Sequence, residues 1–253
     1  MLCRFVSAII VLSCFSATGR AQMPSAPPVA SDVGKPLIKK PAKRKDMVSA
    51  ESGGPCHIGV IPIAGNLFLV QGWGVDRVAT EGWDLDELVV SRVRAAAPGR
   101  SVRRVPYTAA ELIGEGQQPS FFRETLKEFA QRIAGRVSCE RYVVVHRHGG
   151  NSREFGIGIS RYVLFDKAIL YAMMKILVYD GRTFELIRQA PASLKDNFVK
   201  RRIGVANGPA LEIDLSAFPD KPADVARNPM LRDGVRALLT QSLDNTLPAM
   251  LRQ

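Results

Sequence analysis

Histidine, cysteine and tryptophan are scarce in this chain: 253 residues hold three, four and two of them. His146 and His148 are spaced as a metal-binding pair at a strand end. The only other histidine, His57, falls at the start of a different strand, at the opposite edge, so a third ligand is missing. His148-Gly149-Gly150 has the form of an oxyanion loop, but no Gly-x-Ser-x-Gly elbow accompanies it, and Ser160 lacks the second glycine. Gly72-Trp73-Gly74 lacks the third glycine and the Lys-Ser/Thr signature of a phosphate loop. The apolar run at 169–179 is too short for a membrane span and contains Lys175. There is no internal repeat. No catalytic residue, cofactor or metal site is implied.

Positive charge is plentiful. The net charge is +11, which favours anionic partners. Residues 1–21 have the three-part order of a secretory signal: Arg4, an apolar run from Phe5 to Phe15, then small residues to Ala21. The expectation is export to the periplasm or beyond after cleavage near Ala21. A lipoprotein cut at Cys14 is the alternative. In either case no transmembrane helix is expected in the mature chain. For an exported protein the anionic partners are envelope polymers or lipid headgroups rather than nucleic acid.

Residues 22–54 read as a disordered linker rich in Pro, Ala and Lys. Lys35 to Lys45 carries six cations and two prolines, too little apolar surface to offset its ordering entropy. It is either an electrostatic tether or a solvated spacer.

Residues 55–253 read as one α/β domain. His57–Ile63 is a short apolar strand, with Pro62 weakening its far end. Asp84 and Glu87 have capping-box spacing, and Leu85, Leu88, Val89 and Val93 form the stripe of the helix that follows. Val102–Pro106 is a second strand. Thr108 and Glu111 form another capping box. Phe122, Leu126, Phe129, Ala130 and Ile133 mark the next helix. Arg141–His146 is a third strand, apolar enough for a central parallel position. This strand–helix rhythm predicts parallel pairing with right-handed crossovers. Cys56 and Cys139, the two cysteines outside the signal, then lie before two strands that start at the same edge. If those strands are neighbours, the sulfurs meet as a structural disulfide.

After His146 the pattern changes to an antiparallel meander. Gly156 and Gly158 predict something packed close to their strand, such as a helix. Around Asp180-Gly181, a three-residue loop with Gly181 left-handed would pair Ile176 with Phe184 and Met174 with Leu186. Residues 191–227 form a long basic connection containing an edge strand at Leu211–Leu215. Asn228-Pro229 opens a final helix with a leucine stripe, which Pro248 should kink or end. The fold class expected is therefore a mixed sheet, parallel first and antiparallel second, with helices packed on it.

Trp73 and Trp83 flank a loop that could grip a ligand, and such residues are more often caps on the edge of a core. Lys175-Ile-Leu-Val-Tyr-Asp-Gly-Arg-Thr-Phe-Glu-Leu-Ile187, with Ile58-Gly-Val-Ile-Pro62, resembles the layout of the periplasmic α/β domain of the TolB N-terminal, CsgG and LpoB group. The resemblance covers about 56–190 plus the last helix, and the basic segment 191–227 departs from it. It implies a non-catalytic envelope accessory or interaction module with an envelope protein as partner, and it carries over no functional residues. The other function class is a periplasmic hydrolase with its site near His146 and His148.

Overall fold

Strand β1 (Cys56–Ile63) is apolar on both faces and lies inside its sheet, between two parallel neighbours. The computed structural model describes residues 54–108, 111–112, 125–149, 155–162, 166–194 and 209–252. These belong to one unit, Ser52–Gln253. The expected signal, and the expected linker up to residue 53, lie outside the described residues. So does the part of the expected basic connection that holds Lys200, Arg201 and Arg202.

Elements follow in the order β1, β2 (Leu67–Gln71), β3 (Val75–Ala79), α1 (Leu85–Ala96), β4 (Val102–Arg104), α2 (Thr125–Ala134) and β5 (Cys139–Arg147). Then come β6 (Ile157–Tyr162), β7 (Lys167–Ala172), β8 (Met174–Asp180), β9 (Leu186–Pro191), β10 (Ala210–Asp214), two short 3-10 turns at Leu215–Ala217 and Pro222–Arg227, and α3 (Pro229–Leu251). The α/β fold is as expected, with β4-β1-β5 parallel and β5-β8-β9 antiparallel, but the β2–β3 pair in the first half is antiparallel and β2 runs parallel to β6. Its strands, however, form two five-stranded sheets, ordered β4-β1-β5-β8-β9 and β10-β7-β6-β2-β3. The chain passes between them at bends. Three residues separate β1 from β2, and Met173 alone separates β7 from β8. Pro62 does not end β1: it pairs with Val145, and β4 reaches only to the partner of Val60.

Alternation within the apolar strands divides the core. Ile58, Val60, Val143, Val145, Ile176 and Val178 face one cluster, together with α1, α3 and the inner side of the second sheet. Ile61, Ile63, Val144 and Leu177 face the other, closed by Phe129 and Ile133 of α2. Every leucine and valine of the expected α3 stripe is buried. The Asn228 side chain accepts from the Leu231 N–H, and Pro229 occupies the first turn. Pro248 lies inside α3, which continues to Leu251. Arg188 of β9 donates to the carbonyls of Ala249, Met250 and Arg252, satisfying the helix end.

Cys56 and Cys139 are opposed in the parallel β1–β5 register and form the expected disulfide, with Cα atoms 4.5 Å apart. Gly59 lies beside it. A Cβ there would meet the Tyr142 ring at 2.6 Å and the Cys139 sulfur at 3.1 Å.

Candidate functional site

Among the described residues two places have the residue types for chemistry or binding: the rim at the ends of β1 and β5, and a cleft beside the β2–β3 hairpin.

The rim lies where an open α/β sheet usually binds ligands. β1 connects through α1 to β4 on one side, and the chain then returns through α2 to β5 on the other. Between the carboxyl ends of β1 and β5 is therefore a topological switch point. Here the chain's own groups fill that position. The Asp86 carboxylate accepts from the N–H groups of Ala64 and Gly65, each at 3.0 Å. The Arg147 guanidinium donates Nε–H to the Ala64 carbonyl. Tyr107 donates to the Pro62 carbonyl. Burial raises the Asp86 pKa above the usual carboxylate value, against the opposing pull of those N–H groups and of Arg104. Burial also draws Arg147 down to about 10, while Asp86 and Tyr171 act to raise it. Arg147 Nη2 is buried with no hydrogen-bond partner among the described residues.

His146 is half-buried, with Nδ1 2.8 Å from the Arg147 carbonyl oxygen. A carbonyl only accepts, so Nδ1 carries the proton. Burial is the main cause that lowers the His146 pKa, to about 4. The carbonyl opposes the shift, and Lys175 and His148 add to it. His148 is lowered too, by burial first and Lys175 second. A histidine that activates a serine, threonine or cysteine nucleophile needs that side chain within reach and a third group to orient the ring. Among the described residues neither histidine hydrogen-bonds a carboxylate, serine, threonine or cysteine side chain. No group of three or more potential metal ligands is found among them either. His57 is engaged elsewhere, with Nδ1 2.9 Å from the Ser101 hydroxyl. Ser160 sits inside a strand and donates to Gln71, whose amide donates to the Tyr171 hydroxyl.

The two tryptophans part company. Trp83 is 2% exposed, edge-on to Phe68, and caps the core as expected. Trp73 is 92% exposed and caps nothing. It forms the tip of the β2–β3 hairpin between Gly72 and Gly74, beyond the Gln71–Val75 pair. Beside it is an open cleft of about 300 Å³ lined by Val70, Asp76, Arg161, Leu215, Phe218 and Asp220, among others. Its far wall is preformed: the Asp214 side chain caps Ser216, and the Phe218 N–H closes the turn onto Leu215. β3 has no clear strand signature, and the far wall comes from distant sequence, so only Trp73 was detectable as a candidate here.

No protein-family model matches the chain, and no curated protein matches it in sequence. Similar solved structures include the PelC dodecamer from Paraburkholderia phytofirmans, with TM-score 0.33 and 12% identity over 79% of this chain and 90% of that one. Lipoprotein GNA1162 from Neisseria meningitidis has TM-score 0.32 and 11% identity, over 76% of this chain and 100% of that one. The hypothetical protein CT253 from Chlamydia trachomatis has TM-score 0.31 and 12% identity, over 78% and 95%. Likeness at this level assigns no function, and the TolB, CsgG and LpoB group is not among these. Among the described residues no helix is long and apolar enough to cross a membrane.

Proposed function

We propose that the chain is an exported, non-catalytic accessory module of the cell envelope. In this reading residues 1–21 are removed, residues 22–54 form a basic tether, and residues 55–253 bind an envelope protein or an anionic polymer or lipid surface. The observation that carries it is the occupied switch point. The backbone N–H groups that would face a ligand are held by Asp86, and the nearest carbonyl by Arg147. A histidine kept neutral by burial, with its Nδ1 proton committed to a carbonyl, is a structural group rather than a poised base. The layout resemblance to the TolB N-terminal, CsgG and LpoB group points the same way.

Crosslinking the mature protein in envelope extracts, with a panel of ester, phosphate and glycoside substrates assayed in parallel, tests this reading. A specific crosslinked envelope component and no turnover is the expected outcome. Turnover that is lost in His146→Ala, with the fold retained, would replace the binding module with a hydrolase.

A further inference from the structure

We infer that the Trp73 cleft is a docking site for a cationic peptide segment of a partner protein. Such a segment would place one arginine or lysine over the Trp73 ring, between Asp76 and Asp220. An adjoining apolar residue would lie against Leu215 and Phe218. The inference deepens the reading of the chain as a binding module and rests on it.

Exposure comes first. An indole almost wholly in water is a poor use of apolar surface, and here no core contact explains it, because Trp83 fills that role. Val75, the first residue after the tip, is also exposed, at 63%. Trp73 is thus part of a small apolar tip beside a preformed wall, which is the anatomy of an anchor site.

Charge selects the occupant. The cleft sets two carboxylates, Asp76 and Asp220, against one guanidinium, Arg161. None of the three makes an ion pair among the described residues. The site is net acidic on a chain whose formal charge is +11. A guanidinium or ammonium is attracted to an indole face, and most strongly when carboxylates flank it. Arg161 can then take a backbone carbonyl or the carboxylate of the same segment. An anionic polymer would meet the two aspartates unfavourably, which separates this cleft from the partners the basic linker suits. All three charges are exposed, so the contact is weak and salt-sensitive. It is suited to a transient or multivalent partner.

The two tryptophans make the test selective, since Trp83 is shielded and gives a constant background while a ligand at the tip changes the emission of Trp73. Mature protein is titrated with acetyl-Ala-Pro-Arg-Pro-Ala-amide, and separately with the same peptide carrying Glu for Arg. The expected result is a saturable blue shift with the arginine peptide and binding at least about tenfold weaker with the glutamate peptide. A double substitution, D76N with D220N, should lower affinity for the arginine peptide about tenfold while the circular dichroism spectrum is unchanged. Equal binding of the two peptides, no saturation up to about 10 mM, or an unaffected double variant would overturn the inference. So would a blue shift produced only by phosphatidylglycerol vesicles, which would make the tip a membrane contact. A hydrolase activity dependent on His146 would remove the module reading while leaving this titration free to succeed or fail on its own.

Discussion

Gly158 lies directly beneath Tyr171 across the β6–β7 pair. A Cβ on this glycine would stand 2.4 Å from the Tyr171 hydroxyl oxygen and 2.5 Å from the Leu69 carbonyl. What packs on the glycine is a neighbouring side chain of the same sheet, not the helix that the sequence leads one to expect. Tyr171 is fully buried and accepts from Gln71, which itself accepts from Ser160. Gly158→Ala should therefore lower the unfolding free energy by about 2 kcal/mol or more, since neither the backbone carbonyl nor the hydrogen-bonded ring can yield. Urea denaturation measures this. A loss below about 0.5 kcal/mol would mean that the network is looser than described.

The disulfide closes a long loop, with 83 residues of sequence separation. Removing a cross-link of that span restores much chain entropy to the unfolded state. The double variant C56S with C139S should lose about 2–4 kcal/mol, with a lower thermal midpoint but the same far-ultraviolet dichroism. An unchanged midpoint would show that the bond adds nothing to the β1–β5 pairing.

His146 makes stability depend on pH. Its pKa falls from 6.5 to about 4 on folding, so the unfolded chain binds the proton more tightly. Stability is complete above pH 6.5 and declines as pH falls from about 6.5 toward about 4, by up to about 3 kcal/mol. His148, lowered in the same direction, adds to the slope. Lys175 is the neighbouring charge that acts on both. In His146→Gln the slope over that window should flatten. An identical slope in the variant would place the titration elsewhere.

Arg188 holds the last carbonyls of α3 from the neighbouring edge strand. Arg188→Ala should cost about 1 kcal/mol. Hydrogen exchange should speed up in the last turn of α3 and leave β5 unaffected. Equal acceleration throughout would mean that the helix end and the sheet unfold as one.

Where local pattern and tertiary packing agree, the sequence was informative. The strand–helix rhythm led to the parallel β4-β1-β5 half, and with it to Cys56 facing Cys139. The α3 stripe, its Asn228 cap and the reciprocal Thr108–Glu111 cap were also visible, the last with the Thr108 N–H 2.7 Å from the Glu111 carboxylate. Misreadings arose where a side chain was taken by a partner distant in sequence. Asp84 begins α1 but is left-handed and makes no side-chain cap, because Glu87 pairs with Arg104 and Asp86 is drawn to β1. In the β8–β9 hairpin, Phe184 rather than Gly181 is left-handed. Asp180 accepts from the N–H groups of Arg182 and Thr183 and sets the turn itself. Phe184 is then stacked on Tyr179, with ring centroids 4.7 Å apart. Tyr179 consequently pairs with Leu186, past a bulge. Gly181 is required for a different reason, its close approach to the Cys139 carbonyl. The division into two sheets depends on bends such as that at Met173, for which no short-range signal exists. Of the candidate cleft, only Trp73 stood out, as an apolar cap before a ligand-gripping residue. Its carboxylates and its far wall are assembled only by the fold.

The cross-link at the entrance to β1 also fixes how tension travels. If the chain is pulled from its N-terminal segment, force reaches Cys56 and passes through the sulfur atoms to Cys139. Residues 57–138, with β1 to β4, α1 and α2, then hang in a closed covalent loop that carries no tension. The Trp73 hairpin lies within that loop. Such a pull would load the meander and α3, while the hairpin side of the cleft stayed inside the closed loop. With the bond reduced, the same pull would load β1 and its pairing with β5 directly.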